Sequence, residues 1–88
     1  MVEYQSISAY FCGVLRPTQC RAARALLGWT QDTLAARSGV NILAIRRFEA
    51  GKTDPRASTR DRIEQTLINE GIELTDTGDV IGVSLRLR

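Results

Sequence analysis

Eleven of the twelve basic side chains in this 88-residue sequence are arginines and only one, Lys52, is lysine. A guanidinium is a planar fork of donors that matches phosphate oxygens and the edge of a guanine, whereas an ammonium offers only a point charge. The formal net charge of +2 hides an uneven distribution. Between residues 18 and 56, Arg21, Arg24, Arg37, Arg46, Arg47, Lys52 and Arg56 face only Asp32, Glu49 and Asp54. Between 71 and 88, Arg86 and Arg88 are outnumbered by Glu73, Asp76 and Asp79. Positive charge gathered on the middle of a short chain is what a polyanionic partner requires. Catalytic chemistry has little to work with. No histidine is present, which removes the usual general base and the usual zinc ligand. Cys12 and Cys20 have neither metal-site nor disulfide-framework spacing. Cys20, with Arg21 beside it, is an isolated thiol without a catalytic partner. The expectation is a protein that is not an enzyme and needs no metal or cofactor.

The basic residues must be positioned by helices. Residues 30–51 read as two short helices broken by one tight turn. Thr30 can cap the first, and Leu34 and Ala35 supply its inward face. Gly39 stands where the chain must turn sharply, a position that favours a residue free to take positive φ. Val40 follows as an apolar plug, Asn41 caps the next helix, and Ile45 and Phe48 form that helix's inward stripe. Gly51 stops it. Helix, glycine turn and helix at this spacing is the plan of a helix-turn-helix, whose second helix enters the major groove of DNA.

Around this pair the chain supplies further elements. Residues 18–27 read as a helix capped by Thr18, with Ala22, Ala23, Leu26 and Leu27 facing inward and Gly28 ending it. The other helices are expected over 31–37, 42–49 and 57–70, the last with Ile63 and Leu67 on its core face and Gly71 as its cap. From residue 72 the hydrophobic period changes from helical to alternating: Ile72 and Leu74, then Val83, Leu85 and Leu87, with turn residues Asp76 to Asp79 between them. That is a β-hairpin, which needs helices or another strand to pack on. Residues 1–17 are the least legible; Ile7, Tyr10, Phe11, Val14 and Leu15 suit a strand or a loose turn, and Gly13 and Pro17 argue against a long helix. The division expected is an N-terminal arm over 1–17, a DNA-binding domain over 18–71 and a hairpin over 72–88 that is a candidate dimerisation element. No run is long enough to span a membrane and no signal peptide is evident, so a reducing cytoplasm is the expected location.

Residues 18–71 resemble the Cro/C1-type (XRE) helix-turn-helix repressors. The pattern that carries the resemblance runs from Arg24 to Pro55, with L-G-x-T-Q, the L-A-x-x-S-G-V turn and the I-x-x-F-E-x-G-K-x-x-P ending as its specific parts. The resemblance implies a mainly α, four-to-five-helix, lambda-repressor-like domain with a small C-terminal β-hairpin. It further implies an ion pair between Arg24 and Glu49 that holds the third helix against the first. Gln31 matches the glutamine that opens helix two and bonds a DNA phosphate. Lys52 and Thr53 match the loop that grips the other side of the backbone. Trp29, between helices one and two, is expected to pack.

The sequence departs from the family pattern at the start of helix three, where reading residues are often polar. Here they are Ile42, Leu43 and Ala44, which can meet a thymine methyl but cannot hydrogen-bond to a base. Arg46 and Arg47 remain as readers, and Asn41 can help unless its amide is occupied by capping. Two readings of different class stay open. In one, a homodimeric repressor-like regulator binds an inverted repeat on double-stranded DNA through helix three. In the other, an antiactivator or antitoxin-like regulator docks a protein partner through Ile42 and Leu43.

Overall fold

Pro17 opens the first helix among the described residues. The computed structural model describes residues 15–87, and the expectations for residues 1–14 and for Arg88 lie outside them. Helix α1 spans Pro17–Leu27, with Arg16 as N-cap in an extended conformation. Proline suits the first helical position because its missing N–H would have had no partner there. The expected cap, Thr18, therefore lies inside the helix. The Gln19 side chain takes over the start, accepting from the Arg16 backbone N–H at 3.0 Å.

Three more helices follow among the described residues: α2 at Gln31–Ser38, α3 at Ile42–Glu49 and α4 at Ala57–Asn69. Thr30 caps α2 by accepting from the Thr33 N–H at 3.0 Å, and Asn41 caps α3 by accepting from the Leu43 N–H at 2.7 Å. Gly39 closes α2 with φ 74°, donating to the Ala35 carbonyl at 3.0 Å. This left-handed conformation strains any residue with a Cβ.

Strands β1 (Ile72–Asp76) and β2 (Ile81–Leu85) form one antiparallel pair, with Ile72 opposite Leu85 and Asp76 opposite Ile81. Asp76 thus belongs to the strand and is buried, while the turn runs over residues 77–80. Its carboxylate is held below the usual range, first by the Gly78 backbone N–H and then by the Arg16 guanidinium. Val83 and Leu85 pack against the core, but Leu87 is 83% exposed. The ladder explains the difference. Arg86 donates to the Gly71 carbonyl at 2.9 Å, and β1 begins at Ile72, so Leu87 has no strand residue opposite it.

The core is one cluster drawn from the four helices, their flanks and β1: Leu15, Cys20 and Ala23; Leu34 and Val40; Ile45 and Phe48; Ile63 and Leu67; Ile72 and Leu74. On α1 the inward stripe is Gln19, Cys20 and Ala23, with Leu27 half-buried against the core as expected, whereas Ala22 and Leu26 are exposed. Hydropathy alone misplaces this face because its anchor is polar. The Gln19 amide donates to the carbonyls of Thr75 at 3.1 Å and Gly82 at 3.4 Å, so α1 turns Gln19 to the hairpin and leaves Leu26 at the rim. Arg16 adds an ion pair to Asp76 at 3.1 Å, fastening the hairpin to the start of α1. No helix among the described residues is long and apolar enough to cross a membrane.

Candidate nucleic-acid interface

Helix α3 is held by its last residue. Glu49 is 3% exposed, and side chains from α1 and α2 converge on its carboxylate. Arg24 donates from Nη2 to Oε1 at 2.6 Å and from Nε to Oε2 at 2.7 Å, a two-pronged contact that fixes both distance and plane. Gln31 Nε2 donates to Oε1 at 3.0 Å, and the Cys20 thiol donates to Oε2 at 3.1 Å. Arg21 donates through Nη1 to the Glu49 backbone carbonyl. Burial on its own raises the Glu49 carboxyl, but the hydrogen bonds from Arg24, Cys20 and Gln31 outweigh it and hold the carboxyl below its ordinary value. The Arg24 guanidinium is raised in turn by its bond to Glu49. The Cys20 thiol is pushed far up by burial and then by the adjoining carboxylate, so it is a donor here and not a nucleophile.

The Arg24–Glu49 contact follows the family pattern; the convergence of Cys20, Arg21 and Gln31 on the same residue lies outside it. No periodicity links positions 20, 21, 31 and 49, because three different helices bring them together. One signal was available: a buried carboxylate needs more acceptor sites filled than a single arginine can fill. One Gln31 amide N–H is committed to Glu49, which leaves its second N–H and its carbonyl oxygen uncommitted among the described residues. Arg24 also donates from Nη1 to the Trp29 carbonyl at 3.1 Å. Trp29 packs against the core, with the Arg37 guanidinium 5.1 Å from its ring centre.

The opposite side of α3 faces outward. Leu43 is 52% exposed, and Arg46 and Arg47 are exposed, with no ion pair to either among the described residues. Ile42, expected beside Leu43 as part of an exposed apolar pair, is half-buried. It lies three residues before buried Ile45 and seven before buried Glu49, so it shares the flank of the inward stripe. Asn41 spends its side-chain oxygen on the cap. The chain then leaves α3 through the exposed Lys52 and Thr53. Lys52 donates its backbone N–H to the Arg47 carbonyl at 3.0 Å. Arg60 braces the same loop from α4, reaching Asp54 and the Pro55 carbonyl at 3.2 Å each.

A helix of two turns is thus locked from behind by a buried carboxylate. It presents cations in front, and its last turn meets Gln31 at the start of α2 and leads into the loop that carries Lys52. This arrangement defines the helix-turn-helix class of DNA-binding domain. Residues 21–70, more than half of the chain, match the helix-turn-helix family model, and the chain belongs to that family in its Cro/C1 (XRE) type. No curated protein matches the chain. Family and fold make the protein a DNA-binding regulatory module that is not a catalyst.

Proposed function

We propose that the protein is a repressor-like transcriptional regulator that binds an inverted-repeat operator as a homodimer, with α3 in the major groove of each half-site. The observation that carries this reading is the outward face of α3 with its exposed Arg46 and Arg47, beside a last turn where Gln31 meets Glu49 and from which the chain leaves through the exposed Lys52 and Thr53. Gln31 and the free N–H groups at its helix start suit one phosphate strand. Lys52 and Thr53 suit the other. Phosphate contacts supply register and much of the affinity, and α3 supplies discrimination. Two copies would place their third helices about 34 Å apart, one turn of B-form DNA. Repression then follows from occupancy.

A gel-shift titration on the DNA upstream of the protein's own gene, repeated over a range of salt, tests the reading. Binding should weaken steeply with salt, and Lys52→Ala should lower affinity on every duplex and reduce the salt slope by about one. An unaltered slope would remove Lys52 from the backbone contact. Gln31→Ala should weaken all duplexes by a similar factor. The exposed Leu43 also suits an apolar protein partner, the second reading. With Ile42 half-buried, that surface is a single side chain where the sequence suggests a pair. Complete absence of DNA binding at low salt would transfer the assignment to protein contact.

A further inference from the structure

Family membership leaves open which bases this chain reads; that depends on the side chains α3 turns away from the globule. Successive helical residues are rotated by about 100°. Buried Ile45, Phe48 and Glu49 fix the inward direction of α3. Opposite them stand Leu43 and Arg47, one turn apart on a single line. Arg46 is rotated toward the flank that carries Glu49. That flank is also where Gln31 reaches α3, through the 3.0 Å bond to Glu49. The two adjacent arginines are therefore not equivalent: one crowns the helix and the other leans toward the N-terminus of α2.

We propose that Leu43 and Arg47 are the base-reading pair of α3, Leu43 against a thymine methyl and Arg47 on O6 and N7 of a guanine. Arg46 instead joins Gln31 on the phosphates of one strand. This assignment rests on the operator-binding reading above. Leucine has no donor or acceptor, and the thymine methyl is the apolar group that base edges offer in the major groove. Arginine's fork fits guanine in two-pronged fashion. No Asn, Gln, Asp or Glu stands on the outward line of α3 to read adenine or cytosine, and the Asn41 oxygen is held by the Leu43 N–H at 2.7 Å. Four residues advance the helix by about 6 Å. Against a rise of about 3.4 Å per base pair, the thymine and the guanine belong about two steps apart in each half-site.

The test begins with selection from a randomised duplex library by the full-length protein. A T·A pair and a G·C pair about two steps apart should be enriched in each half-site. The selected duplex is then remade with deoxyuridine for that thymidine, which removes the methyl group and nothing else. Wild-type binding should fall about fourfold, the worth of one apolar carbon leaving a contact. Leu43→Ala should bind both duplexes alike, at the weakened level. Arg47→Ala should lose about tenfold or more of the preference for guanine, whereas Arg46→Ala should weaken all duplexes equally and keep that preference. If deoxyuridine costs the wild type nothing, or Arg46→Ala abolishes the guanine preference, the assignment is overturned while operator binding stands. If no duplex is enriched over the starting library, operator binding fails and the assignment falls with it.

Discussion

One carboxylate decides how firmly the outward face of α3 is held. Glu49 accepts from Arg24 twice and from Cys20 and Gln31 once each. Removing a buried partner of this kind leaves a guanidinium without compensation. Glu49→Ala should therefore cost about 3–5 kcal/mol, read as a lower urea midpoint at unchanged slope. The pH dependence has a definite sign. Because the folded carboxyl titrates below the ordinary 4.5, its contribution is fully present above that value and is lost as pH falls through the lower folded one. Circular dichroism should show wild-type protein losing stability on acidification below about 4.5, and Glu49→Gln should flatten that dependence. Glu64 has the opposite sense. Burial, then the nearby Asp61, raises its carboxyl, and its Oε1 is buried without a hydrogen-bond partner among the described residues. Its ionised form is penalised in the fold, so Glu64→Gln should raise the urea midpoint at pH 7 and leave it less changed near pH 4. A contact between two residues that both match a family motif is legible in sequence. The donors Cys20 and Gln31 were not, because their meeting point exists only once three helices have packed.

At the level of elements, the turn between α2 and α3 sets the angle of the outward helix. Gly39 sits at φ 74°, and a Cβ added there would meet only the end of Arg62, 3.9 Å away. The cost of Gly39→Ala is therefore one of backbone conformation and not of crowding, about 1–2 kcal/mol. Asn41→Ala should cost about 1 kcal/mol by freeing an N–H at the start of α3. Thermal melts of the two variants, compared with the double variant, check both values and show whether they add. The punctuation of this region could be read directly. Thr30, Gly39 and Asn41 act through neighbours a few residues away, which is why α2 and α3 were legible nearly to the residue. Helix α1 was harder. Its cap passed to Arg16 with Pro17 inside the helix, and its inward face is anchored by Gln19, whose partners lie 56 and 63 residues away. A polar residue chosen by such distant partners leaves no trace in local hydropathy.

For the molecule as a whole, the hairpin is both attachment and exposed surface. Gln19 and Arg16 tie it to α1, yet Val80, Ile81 and Leu87 are exposed at 62, 39 and 83%. The operator reading needs two copies, and we propose that these exposed hairpin side chains are where they meet. Sedimentation at micromolar concentration should give a dimer for the wild type and a monomer for Ile81→Lys combined with Leu87→Lys. The far-ultraviolet spectrum should be unchanged, because neither side chain is in the core. A dimer that survives both charges would assign the contact elsewhere. The existence of the hairpin was legible from alternation; its docking face was not, because Val83 and Leu85 are distinguished from Leu87 only by where β1 begins.

The sealed position of Cys20 also has a practical consequence. Its sulfur lies in a 0% exposed residue and its proton is engaged by Glu49, so an alkylating reagent at neutral pH meets neither an accessible atom nor a thiolate. Adduct formation at Cys20 must wait until α1 lifts from α3. Mass spectrometry of that one adduct over time is a built-in clock for breathing at the helix junction. DNA that clamps the junction should slow the clock.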